Sequence, residues 1–148
     1  MIPEFNEAGL LPEGIHWAFP HEIQERYAWN VHRQKLVTGM EKALRALRLA
    51  GCLILYLDGS FITSKQHPND YDACWESNGV DFAALDPVFF DFRNRRAAQK
   101  AKYYGEFFPA HATAEITSPF RTFFNFFQTD KETGNKKGII GINLARIV

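Results

Sequence analysis

Leu53-Ile54-Leu55-Tyr56-Leu57-Asp58-Gly59-Ser60-Phe61-Ile62-Thr63-Ser64-Lys65-Gln66-His67-Pro68-Asn69-Asp70-Tyr71-Asp72-Ala73-Cys74-Trp75 is the stretch that decides the fold. The apolar run Leu53 to Leu57 stops abruptly at Asp58-Gly59-Ser60, the pattern of a buried strand feeding a tight turn. Gly59 accepts a backbone shape other residues resist and lets a ligand approach the main chain. Ser60 adds a hydroxyl and an N–H, so the turn suits an anion such as a phosphate. After Pro68-Asn69, the alternation Asp70, Tyr71, Asp72, Ala73 has the two-residue period of a second strand. It puts Asp70 and Asp72 on one face, with Cα atoms about 6.6 Å apart at a rise of about 3.3 Å per residue. Two carboxylates so placed can share hard divalent cations, as in two-metal phosphoryl-transfer sites.

Gly59-Ser60 followed, after nine residues, by Asp70-Tyr71-Asp72-Ala73 resembles the signature of the DNA polymerase beta-like nucleotidyltransferase superfamily. The wording on either side is similar to a family of small bacterial nucleotidyltransferase-like proteins, often encoded in phage-defence or toxin–antitoxin-like settings. That likeness extends to Asn94-Arg95-Arg96-Ala97-Ala98-Gln99-Lys100 and Phe126-Phe127-Gln128-Thr129-Asp130. Asp58 departs from the pattern, which usually has an apolar residue before the glycine. The resemblance implies an α/β (α+β) minimal nucleotidyltransferase fold, a small mixed sheet flanked by helices. It further implies that Asp70 and Asp72 bind Mg2+ (or Mn2+), that Gly59 and Ser60 hold the phosphates of a nucleoside triphosphate, and that a third carboxylate from a later strand joins them. Glu115 is the first choice for that third acid, because Ala114 and Ile116 make a strand-like alternation around it. Asp91, after Val88-Phe89-Phe90, is the second. Lys65 stands near the turn and reads either as a phosphate contact or as an exposed loop lysine.

The composition fits one folded domain over residues 1–148, with 46% apolar residues and fourteen phenylalanines. Seventeen basic residues balance seventeen acidic ones, which excludes a nucleic-acid binder driven by bulk charge. No apolar run approaches the ~20 residues of a membrane span and no signal-peptide pattern opens the chain, so a cytoplasmic protein is expected. Cys52 and Cys74 fall in the apolar strands and read as reduced, buried thiols. The five histidines show no metal-ligand spacing with them.

Along the chain, residues 1–12 read as an extended arm whose Ile2, Phe5, Leu10 and Leu11 staple it across the domain or onto a partner. Pro20 opens a short helix. Asn30 caps a longer one, Val31 to about Ala50, with Leu36, Val37, Met40, Ala43, Leu44 and Leu47 at helical period. A further helix is expected over Arg93–Tyr104, with Arg93, Arg96 and Lys100 on one face. A third strand is expected over Ala112–Ile116, an aromatic helix from Pro119, and a last strand over Gly138–Leu144. The function expected is Mg2+-dependent transfer of a nucleotidyl group from a triphosphate to an RNA, protein or small-molecule acceptor. The alternative is a catalytically inactive binding module that assembles with a partner protein, as in a toxin–antitoxin-like pair.

Overall fold

In the computed structural model, which describes residues 1–147, five strands form one mixed sheet in the order β1-β5-β2-β3-β4. They are β1 (Gly14–Trp17), β2 (Ile54–Asp58), β3 (Tyr71–Trp75), β4 (Gly105–Pro109) and β5 (Gly138–Asn143). The inner pairs β5–β2 and β2–β3 are antiparallel, and the outer pairs β1–β5 and β3–β4 are parallel. Four α-helices complete the fold: α1 (Pro20–Tyr27), α2 (Val31–Leu49), α3 (Arg93–Tyr103) and α4 (Phe123–Phe127). This is the mixed sheet flanked by helices that the sequence led us to expect. Among the described residues, no helix is long and apolar enough to cross a membrane.

Alternation sorts the strand residues onto two faces. Leu55, Leu57, Ala73, Phe107, Ile140 and Ile142 point into the larger core, where α2 lays its stripe of Leu36, Val37, Met40, Ala43, Leu44 and Leu47. Each leucine so buried contributes about 1.5–3 kcal/mol. Asn30 starts α2 as read, its side chain accepting the Arg33 N–H at 2.8 Å. The other face carries a smaller core of Tyr56, Cys74 and Ile139, covered in part by Phe127 of α4. The first twelve residues staple across the domain itself. Leu11 is buried, and Ile2 and Phe5 pack against the larger core.

Several expectations need correction. The strand that follows Tyr71–Trp75 is Gly105–Pro109, and Ala112–Ile116 is irregular chain with one isolated bridge, Thr113 to Thr122. Gly105 and Pro109 read as punctuation, yet they bound a strand at the sheet edge, where the proline's missing N–H is tolerated. The aromatic helix begins at Phe123, not Pro119, because Thr122 caps it by accepting the Asn125 N–H. Residues Asn94, Arg95 and Arg96 at the start of α3 lie in the left-handed region (φ 50°, 55° and 61°), so Arg93, Arg96 and Lys100 do not form a single helical stripe. Cys52 precedes β2 rather than lying within it, and Cys74 sits in β3. Strand β1 arises from a stretch with no legible strand signal.

Candidate functional site

Three acids stand in one row on the α4 face of the sheet. Asp58 is the register partner of Asp72, and Asp72 is the register partner of Glu106, so β2, β3 and β4 each present a carboxylate side by side. Asp70, just before β3, completes a group with Asp72 and Glu106 in which one oxygen from each residue lies within 4.8 Å of the others. The pair read from the sequence is therefore joined by Glu106, which that reading missed. Glu115 is elsewhere: its carboxylate takes both the side chain and the backbone N–H of Arg121, at 2.6 and 2.8 Å. Asp91 is likewise held by Arg93, at 2.9 and 3.0 Å. Neither belongs to the acidic group, because each closes a local loop with an arginine on its own segment.

Gly59 has φ 88°, and a Cβ there would sit 2.8 Å from Asp72 Oδ2, so the turn needs glycine both for its backbone and for the neighbouring acid. Asp58, Gly59, Ser60 and Asp72 line a cleft of about 340 Å3 together with Phe126, Lys131 and Lys137. Lys137 Nζ lies 2.6 Å from Asp58 Oδ1, and both side chains are largely buried. This pair accounts for the unusual acid before the glycine: a cation from the entry to β5 holds it. Lys65 does not line this cleft. Its side chain is exposed, and its carbonyl accepts hydrogen bonds from Arg33.

Arg33 positions the turn from below. Fully buried, it donates to the carbonyls of Tyr27, Phe61, Thr63 and Lys65, with the Trp29 ring 3.7 Å from its guanidinium carbon. Among the described residues no carboxylate pairs with this charge, which rests on carbonyl oxygens and the Trp29 ring. Burial pulls its pKa down to about 10 against a smaller opposing effect of Tyr27. A planar five-donor fork can gather a loop in this way.

The electrostatics of the row follow from burial and crowding. Burial pushes Asp72 well above the usual aspartate range, and the neighbouring Glu106, Asp58 and Asp70 push the same way. Glu106 falls below its ordinary value despite burial, because Asp72, Arg96 and Lys100 favour its charge. Arg96 Nε is 2.6 Å and Lys100 Nζ 3.6 Å from Glu106 Oε1. Burial, then Glu106, raises Asp70. Asp72 Oδ1 is buried without a hydrogen-bond donor. A donorless carboxylate oxygen among other hard oxygens is chemically suited to a divalent cation.

No curated protein and no solved structure matches the chain. The family model described as a family of unknown function (DUF6932) matches residues 3–143, which span all five strands and every residue of the acidic group, and the chain belongs to that family.

Proposed function

We propose that this protein is a nucleotidyltransferase that uses Mg2+ or Mn2+ and a nucleoside triphosphate. The observation that carries the reading is the meeting of Asp70, Asp72 and Glu106 beside the Gly59-Ser60 turn, at the rim of a cleft that also holds two lysines. The three carboxylates would hold the cation, and the orphaned Asp72 Oδ1 is the atom in greatest need of one. When bound, the cation supplies charge neutralisation of the triphosphate. The residues of the chain do the rest by position. The N–H groups and hydroxyl of the Gly59-Ser60 turn would receive the phosphates, Lys131 would add positive charge while Lys137 stays on Asp58, and the half-buried Phe126 ring would offer a base a stacking wall. The resemblance of Gly59-Ser60 and Asp70-Tyr71-Asp72 to the nucleotidyltransferase signature supports the same reading.

A second reading, a binding module without catalysis, is favoured by Arg96 and Lys100, which already compensate Glu106 and compete with a cation for it. A melting scan with each triphosphate, with and without Mg2+, separates the two. A transferase site gains stability only when both are present, by about 2.7 kcal/mol at 100 times the dissociation constant. The Asp70→Asn, Asp72→Asn double variant keeps the fold and loses that gain. No shift with any triphosphate in the unmodified protein would leave the binding module as the better reading.

A further inference from the structure

The acidic group opens onto two clefts, and the function proposed above occupies only one. Asp72 lines the cleft of the Gly59-Ser60 turn, whereas Asp70 lines a second, of about 310 Å3, between α2 and α3. Its wall is His32, Lys35 and Leu36, one face of α2 at i, i+3, i+4 spacing, with Lys100 from the last turn of α3 and Asn69 and Tyr104 at its rim. Gly39 sets its width: a Cβ there would lie 2.3 Å from the carbonyl oxygen of Tyr103, so only glycine lets α2 approach the end of α3. Tyr104, left-handed at φ 63°, turns the chain directly from α3 into β4 and brings its ring 5.0 Å from the Lys35 ammonium. The His32 ring is anchored on the carbonyl of Pro68.

The charge of this cleft is lopsided. Lys35 and Lys100 face one acid, Asp70. Lys100 is partly engaged by Glu106, but among the described residues no carboxylate lies within ion-pair distance of Lys35. A cationic cleft beside a phosphoryl-transfer centre suits an anion that arrives separately from the triphosphate.

We infer that the α2–α3 cleft binds the phosphate group of the acceptor, so that the molecule receiving the nucleotidyl group is itself phosphorylated. The inference rests on the nucleotidyltransferase reading and names its second substrate class. The acceptor phosphate lies at Lys35 and Lys100, and its hydroxyl turns toward Asp70. In the transfer, the hydroxyl oxygen forms a bond to the α-phosphorus of the triphosphate. The bond from that phosphorus to the α–β bridging oxygen breaks, pyrophosphate leaves with the electron pair, and the hydroxyl proton passes to solvent.

The test is titration calorimetry with adenosine 5′-monophosphate, a six-residue RNA and uncharged adenosine. Each titration is run in the presence of Mg2+ and a triphosphate analogue with a non-cleavable α–β bridge. At least one phosphorylated probe binds and adenosine does not. Binding of the monophosphate identifies a small phosphorylated acceptor, and binding of the RNA alone identifies a strand. Lys35→Glu weakens the bound probe at least tenfold and Lys35→Gln less, while both variants keep the melting shift given by the triphosphate analogue. If neither probe binds although the analogue still shifts the melting temperature, the acceptor cleft is wrong and the transferase reading survives. Equal binding by wild type and Lys35→Glu also overturns the cleft. A probe that binds through Lys35 when the analogue has no effect overturns the acceptor role together with the transferase reading.

Discussion

Asp72 and Glu106 stand side by side across the parallel β3–β4 pair, and their surroundings push their acidities apart: burial and the neighbouring acids raise Asp72, whereas Asp72, Arg96 and Lys100 lower Glu106 despite its burial. Crowded carboxylates disfavour double ionisation, and Arg96 and Lys100, by approaching Glu106, favour the charge on that member of the pair.

A stability profile follows from this pair. An acid whose folded pKa is raised binds its proton more tightly in the folded chain. Folding therefore loses stability as pH climbs above the ordinary aspartate value of 3.8. Asp72→Asn lacks this loss. We expect the variant to melt higher than wild type at pH 7 without metal, by about 3 °C for each 1 kcal/mol. The gap closes as pH falls toward about 4, where the unfolded aspartate takes up its own proton. A wild type that melts higher at pH 7 would show that the charged form of Asp72 is stabilised in the fold.

Arg33 gives a second prediction. Arg33→Met leaves the buried carbonyls of Tyr27 and Phe61 without that donor, at about 1–3 kcal/mol each before relaxation, and frees the partly buried carbonyls of Thr63 and Lys65 at a smaller cost. Denaturant unfolding should therefore register a loss of about 3 kcal/mol or more. Arg33→Lys should recover little, because one ammonium cannot span four carbonyls on two loops. Full recovery by lysine would mean that charge alone, and not the fork, holds the Gly59–Lys65 segment.

The cysteines give a third. Cys52 and Cys74 are both free and buried, and burial raises both thiols, Cys52 to about 11. A thiol reagent at pH 8 should find two reactive groups in denaturant and react only slowly in its absence. Rapid labelling of the native protein would contradict their burial.

What the sequence could show, it showed through local pattern. Leu55–Leu57, the alternation around Asp72 and the stripe of α2 report burial directly and Gly59 reports the turn, whereas Leu53, at the head of the same apolar run, precedes β2 and is 51% exposed. Glu106 was hidden because the residues beside it answer to partners distant in sequence. Gly105 is small because the Tyr71 ring occupies the space its Cβ would take, 2.3 Å away. Nothing near Gly105 announces that. Glu115 misled for the converse reason: Ile116 alternates with it like a strand residue, yet its side chain is almost wholly exposed at 97%. The row of acids also depends on strand register, and a one-residue slip would have turned Glu106 to the opposite face.

The order in which the strands are made differs from the order in which they lie. β5 sits between β1 and β2 but follows every other strand in sequence, so Gly14 waits for Gly138 before it has a neighbour. On the ribosome, β2, β3 and β4 can pair first and bring Asp58, Asp72 and Glu106 together. Lys131 and Lys137 emerge only afterwards, on the segment that leads into β5. A nascent chain at that stage has Arg96 and Lys100 to compensate Glu106 but lacks the Lys137 partner of Asp58 until the approach to its final strand arrives. Completion of the sheet and the pairing of Asp58 with Lys137 are then one event, and a half-made protein lacks the lysine-bearing part of the cleft lining.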